Sequence, residues 1–301
     1  MSASSSLTLP KQYPPLLLLH TLLLPASLFL LPQTSLVITL PAPERGLDKP
    51  QHPLLDPLTA RPIVTVAWSV VGAAALVGWW AGWVREWVRE GRMGGAGVET
   101  RLSRIGDKKA TDVWNAWIFT LYASFAIHAV LVLFGAPITT HLMHTYLLSL
   151  LLSILTTFVP AYALGPPSLP LPLLSRNAGY APDSSAGLIQ NNTWIRLFAE
   201  FAPRTPSERA LVYPAIGAFM GAWTGAIPIG LDWDRPWQAW PLTPAYSAVI
   251  GYVLGAIGAL GTSGVLILAH MDTKSSAIDG KDTTKKAVAK KVKKGGKVKA
   301  A

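Results

Sequence analysis

Six long stretches of this chain are apolar on every side and nearly free of charge: residues 16–40, 63–84, 113–135, 142–164, 210–231 and 246–269. Roughly 20 apolar residues cross the hydrocarbon core of a bilayer as a helix. In lipid the backbone must satisfy its hydrogen bonds internally, and for single stretches of this length that means helices. The expected fold is therefore all-α, a multi-pass transmembrane helix bundle of about six spans with no sizeable soluble domain. Only 14% of residues are charged, where a soluble domain carries about a quarter. Cysteine is absent, which excludes disulfides, a thiolate nucleophile and cysteine-ligated metal.

The first stretch admits two readings. Its polar lead with Lys11 and its leucine-rich middle also describe a secretory signal peptide. Its length suits a retained helix, interrupted by Pro25 and Pro32. Downstream orientation is the same in either case. Basic loops stay cytoplasmic, and three regions carry most of the basic residues. The segment after the second stretch holds Arg85, Arg89, Arg92, Arg101, Arg104, Lys108 and Lys109. The segment after the fourth holds Arg176, Arg196, Arg204 and Arg209. From Lys274 to Lys299 the tail holds ten lysines against Asp279 and Asp282. Six spans put all three regions on one side, with both termini cytoplasmic. The proline-rich loop from Pro41 to Pro62, the turn near Pro137 and the turn from Asp232 to Pro241 then lie on the other.

Residues 1–270 read as one transmembrane domain. Residues 165–206 read as a flexible cytoplasmic connector, rich in Pro, Ser, Asn and Gly, with a surface helix near Trp194 to Phe201. Residues 271–301 read as a lysine-rich cytoplasmic tail. That tail lacks the interleaved aromatics of a nucleic-acid patch and follows a membrane span, so anionic lipid is its expected neighbour. The sequon Asn191-Asn192-Thr193 falls in the connector and is expected to stay unmodified on the cytoplasmic side.

The densest stretch is GAFMGAWTGAIPIGLDWDRPWQAWP, from Gly217 to Pro241. Gly217, Gly221 and Gly225 share one helix face, and Gly251 and Gly255 repeat the spacing in the last span, followed by Gly258 and Gly261. Small residues so spaced let helix backbones approach closely in lipid. Gly78 and Gly82 form a similar pair in the second span. Spacing alone leaves open whether such rows pack within the chain or against another subunit. The charged turn offers three readings: a rigid interfacial turn, a patch touching a lipid headgroup or partner loop, and a carboxylate pair of Asp232 and Asp234. Trp223, Trp233, Trp237 and Trp240 suit the headgroup layer.

Histidines are less informative. His141 and His144 are three apart, and two ligands without a third make a weak zinc site. His128 falls within the third span, where a neutral imidazole bonded to a neighbouring helix is the expected state. No phosphate loop, HExxH or GxSxG motif is present, and the reading assigns no catalytic residue, cofactor or metal.

The residues LDWDRPWQ between two glycine-rich helices, followed by GYVLGAIGAL, resemble the signature of the PIG-F family over roughly Ala210 to Ala269. The long connector and lysine tail are more like fungal members. The resemblance implies a protein of glycosylphosphatidylinositol (GPI) anchor biosynthesis in the endoplasmic reticulum membrane. It implies a non-catalytic subunit that binds and stabilises transferases of the PIG-O and PIG-G type, which add ethanolamine phosphate to the GPI mannoses. The alternatives are direct participation in that transfer and a lipid-handling membrane protein. By resemblance Trp223, Asp232, Trp233, Asp234, Arg235, Pro236, Trp237 and Trp240 match the family motif, and the turn faces the lumen toward a partner or the GPI lipid intermediate. Lys297 and Lys299 resemble a dilysine retrieval signal.

Overall fold

The structure, a computed structural model, describes residues 9–34, 52–92, 109–169, 173, 185–231 and 233–296. It divides into two compact units, Met1–Ala259 and Leu260–Ala301. Each of the six apolar stretches yields a helix long and apolar enough to cross a membrane, and among the described residues there is no strand.

The helices are α1 (Tyr13–Leu30), α2 (Pro62–Arg92), α3 (Lys109–Leu133) and α4 (Leu142–Leu164), then the connector helix α5 (Ser185–Trp194), α6 (Pro206–Ala226) and α7 (Leu242–Gly296). Their ends follow local chemistry. Pro14 and Pro15 sit in the first turn of α1, where their missing N–H groups have no partner to lose. The expected first span ran to Leu40, but α1 closes at Leu30 with a 3-10 turn, Leu31–Gln33, around Pro32; residues 35–51 lie outside the described part. Thr205 and Glu208 form a reciprocal capping box at the start of α6, with Pro206 in the first turn. α2 continues two turns beyond the expected Val84, because Trp87 and Val88 are still buried there. α7 continues past the expected Ala269 to Gly296 through a stretch whose Ala and Lys are strong helix formers.

α4 lies at the centre of the first unit: 83% of its apolar window is buried, against 39% or less in the other spans. Its hydroxyls bond back to its own turns, as from Ser149 to the Tyr146 carbonyl at 2.7 Å and from Ser153 to that of Leu150 at 2.8 Å. A buried helix can thus carry polar residues without orphan donors. Pro160 has no N–H to give, and the helix widens into a π-turn, Ile154–Phe158, just before it.

α1 packs along α2. Tyr13 sits against Trp83 and Trp87, with ring centres 5.9 and 4.7 Å away. The His20 ring stacks on Trp80 at 5.0 Å, and its Nε2 lies 3.3 Å from the Tyr252 hydroxyl of α7. One face of α1 is thereby built into the core, with Tyr13, Leu17, His20, Leu24 and Leu28 buried. Gly72 makes the α1–α2 approach possible: a methyl there would meet Ser27 Oγ at 2.8 Å.

The connector differs from expectation. Its helix begins at Ser185 and ends in a π-turn, Ile195–Ala199, earlier than the expected 194–201. It is also tied down. α4 ends at Gly165, with φ of +87°, and its last carbonyls need donors. Gln190 Nε2 donates to the Leu164 and Gly165 carbonyls, both at 2.6 Å, and Trp194 Nε1 donates to Gly165 at 2.9 Å. The sequon residue Asn191 accepts from the Ser168 N–H at 2.9 Å.

Candidate functional site

The α6–α7 connection is where the sequence concentrates its chemistry. Two opposed features define it, a closed backbone seam and an exposed charged turn. The seam comes first. A methyl at Gly217 would fall on the Gly251 carbonyl oxygen, and a methyl at Gly251 on that of Gly217. Gly221 faces the Ser247 carbonyl, and Gly255 faces that of Tyr213. At Gly225 a methyl would lie 2.6 Å from the Thr243 carbonyl oxygen. Glycine Cα–H groups therefore point at carbonyls of the opposite helix, a geometry that weak Cα–H···O contacts stabilise. All five glycines are used inside the chain. A methyl at Gly258 would meet Tyr213 at 4.0 Å, and a methyl at Gly78, Gly82 or Gly261 would meet nothing within 4 Å among the described residues.

Above the seam, α6 passes into a 3-10 turn, Ile227–Gly230, and the chain folds through Trp233 and Asp234 into a second, Pro236–Gln238. Asp232 lies outside the described residues. Gln238 staples this bend. Its Nε2 donates to the Pro228 carbonyl at 2.6 Å and the Leu231 carbonyl at 2.9 Å, while its Oε1 accepts from the Arg235 N–H at 2.7 Å. Asp234 takes the left-handed backbone, φ +48°, which short polar side chains tolerate best after glycine. Trp240 Nε1 donates to Thr145 Oγ1 of α4 at 3.1 Å, anchoring the turn to the central helix. Pro236–Gln238 also packs beside the short helical turn Asp56–Thr59 that precedes α2.

The structure thus separates the motif residues. Trp240 points inward. The rings of Trp233 and Trp237 pair at 5.8 Å, with Trp237 half-buried. Trp233, Asp234 and Arg235 are exposed. Trp223 stands apart, 65% exposed on the side of α6 away from the glycines. Gln238 went unweighted in the sequence. Its signal was modest, a single amide next to Pro236-Trp237 in a turn that otherwise offers only one-sided donors or acceptors.

The opposite end of the bundle carries a second polar constellation that spacing did not reveal. Arg85 of α2 is 3% exposed, and its Nη2 donates to Asp112 in the first turn of α3. Arg89 Nη2 approaches the same carboxylate at 3.5 Å. The Arg85 guanidinium lies over the Tyr162 ring of α4, 4.3 Å from its centre. Farther along, Arg196 grips Glu208 through two hydrogen bonds, 2.6 and 3.0 Å, joining the connector to α6. Donating to the Glu208 carboxylate raises the Arg196 pKa above its already high ordinary value. Of the other basic residues in these segments, Arg101, Arg104, Lys108 and Arg176 lie outside the described residues, as do Lys297 and Lys299.

His141 and His144 lie with ring centres 5.1 Å apart, and His128 faces Tyr146 at 6.1 Å. Among the described residues no three His, Asp or Glu side chains stand close enough to share a metal ion.

Comparison with known proteins gives a consistent result. A family model described as "GPI biosynthesis protein family Pig-F" matches residues 47–260. Glycosylphosphatidylinositol anchor biosynthesis protein 11 of Pyricularia oryzae is 36% identical over 175 residues, 55% of this chain and 56% of that protein. The GPI ethanolamine phosphate transferase, stabilizing subunit, of Homo sapiens is 34% identical over 149 residues, 50% of this chain and 58% of that protein. Anchor biosynthesis protein 11 of Yarrowia lipolytica is 35% identical over 159 residues, 52% of this chain and 59% of that protein. The matched region spans just over half the length of these relatives. No solved structure matches.

Proposed function

Because this chain belongs to the Pig-F family of GPI biosynthesis proteins, we propose that it is a non-catalytic membrane subunit that binds and stabilises a transferase adding ethanolamine phosphate to the GPI anchor. Its human relative is named as the stabilizing subunit of such a transferase. PIG-O and PIG-G type enzymes, which modify the GPI mannoses, are the proposed partners, and the endoplasmic reticulum membrane is the proposed location. Both termini are proposed to be cytoplasmic, with the Trp233–Trp240 turn in the lumen and Lys297 and Lys299 acting as a retrieval signal.

One observation carries this reading. The turn is held rigid from below by Gln238 and Trp240, yet it leaves Trp233, Asp234 and Arg235 exposed. A pre-ordered surface with one large ring and fixed charges loses little entropy when a partner or headgroup lands on it. The glycine seam, by contrast, is occupied by the chain's own α7 and serves the partner only by shaping the platform.

Affinity purification in mild detergent tests the proposal. The wild type should bring down an ethanolamine phosphate transferase. The Trp233→Ala/Arg235→Ala variant should keep its own abundance and lose the transferase. Unchanged transferase and unchanged GPI modification would contradict the assignment of the turn. Lost transfer with the complex intact, in Asp234→Asn or Arg235→Ala, would favour direct participation in the reaction instead.

A further inference from the structure

We propose that the cluster of Arg85, Arg89, Asp112 and Tyr162 is a phosphate-binding site at the membrane surface, opposite the motif turn and independent of the transferase reading. The ligand it fits is a phosphate carried by an acidic phospholipid or free in solution.

Charge count is the first argument. Two guanidinium groups share a single carboxylate, so the cluster keeps one positive charge after internal pairing. The remaining carboxylates on this part of α2, Glu86 and Glu90, belong to exposed residues. Unsatisfied bonding is the second. In Arg85 one face of the guanidinium is covered by the Tyr162 ring and Nη2 is spent on Asp112, while Nη1 is buried with no acceptor among the described residues. A buried charged donor left unpaired is unfavourable, and a planar guanidinium fork matches phosphate oxygens in geometry and charge. The start of α3 adds the positive end of a helix beside Asp112.

Depth and access supply the third argument. Arg85 lies five residues before the end of its helical span at Glu90, about 7.5 Å along the axis, where the apolar stretch gives way to charged residues. Arg89 and Asp112, at 28% and 38% exposure, leave the cluster open on its outer side. A basic pocket between transmembrane helices near the surface is a recurrent way of holding acidic headgroups. In structural terms Arg85 also locks α2 to α3 and α4, so a bound phosphate would reinforce the junction where three helices meet.

The test uses the full chain in mild detergent, with native mass spectrometry after exchange into phosphatidylinositol, phosphatidylserine or phosphatidylcholine, and a parallel titration with inorganic phosphate. The wild type should retain an acidic phospholipid in preference to phosphatidylcholine. Arg89→Gln, which leaves the Arg85–Asp112 pair in place, should lower that retention about fivefold without lowering the unfolding temperature. Asp112→Asn removes the competing carboxylate and should not reduce it. Retained acidic lipid that survives excess inorganic phosphate assigns the site to a headgroup, whereas phosphate binding without lipid preference assigns it to the free ion. Equal retention of all three lipids with no phosphate binding, or an unchanged Arg89→Gln, would overturn the proposal.

Discussion

Two rows of small residues with the same spacing have opposite fates. In α6, Gly217, Gly221 and Gly225 lie directly on carbonyls of α7, and any side chain there would collide with backbone. In α2, a methyl at Gly78 or Gly82 would meet nothing within 4 Å among the described residues. The difference lies in what faces each row. Opposite α6, Gly251 and Gly255 supply a second row, so from Gly217 to Gly221 the two backbones meet with no side chain between them, and only at Gly225 does the Ser247 side chain also face the row. α2 offers its glycines to no matching row. A packing seam is therefore a property of two faces, and a single face does not define one.

The contrast can be broken at its strongest point. Gly221→Leu must push α6 from α7, and overpacking against rigid backbone costs about 3 kcal/mol or more. The detergent-purified variant should show a large drop in unfolding temperature and low abundance of the chain itself. A stable variant that lost only its transferase would mean that the row faces a partner after all.

A smaller effect is expected one layer up, at the turn that closes the seam. Gln238→Leu removes three hydrogen bonds and leaves the Pro228 and Leu231 carbonyls to solvent, for about 1–2 kcal/mol. Thermal unfolding together with limited proteolysis at residues 228–238 would measure it. If stability held, the glycine seam alone would suffice to pair α6 with α7.

Trp240→Phe keeps an aromatic ring, though a smaller one, and loses the indole hydrogen bond to Thr145, so about 1 kcal/mol or slightly more is expected, by the same thermal measurement. Smallest of all is Gly78→Leu. With open space at that position, its effect on stability should stay within about 0.5 kcal/mol. A loss comparable to that of Gly221→Leu would erase the distinction between the two rows.

Much of the architecture was legible before any coordinates. The spans could be counted because long uncharged stretches are rare in soluble domains, and the basic segments alternated as an even number of crossings requires. The connector is less legible. Its Pro, Ser, Asn and Gly content suggests a flexible segment with a surface helix, and nothing local says that Gln190 and Trp194 will cap the end of α4, 25 to 29 residues away. Arg85 and Asp112 were equally hidden, being 27 residues apart across residues 93–108, most of which carry no strong pattern. At the turn, the tryptophans and charges were visible as a motif, but not their division into an inward anchor, Trp240, and an outward face at Trp233.

By itself the sequence determined the solvent, the number of crossings and the family, because hydrophobic length and charge placement are additive along the chain and need no partner to be read. The tertiary structure alone decided which glycines meet a backbone, which arginine is buried and which tryptophan points in. Those outcomes depend on what stands across a gap of a few ångströms, and close packing makes that a property of pairs of distant residues.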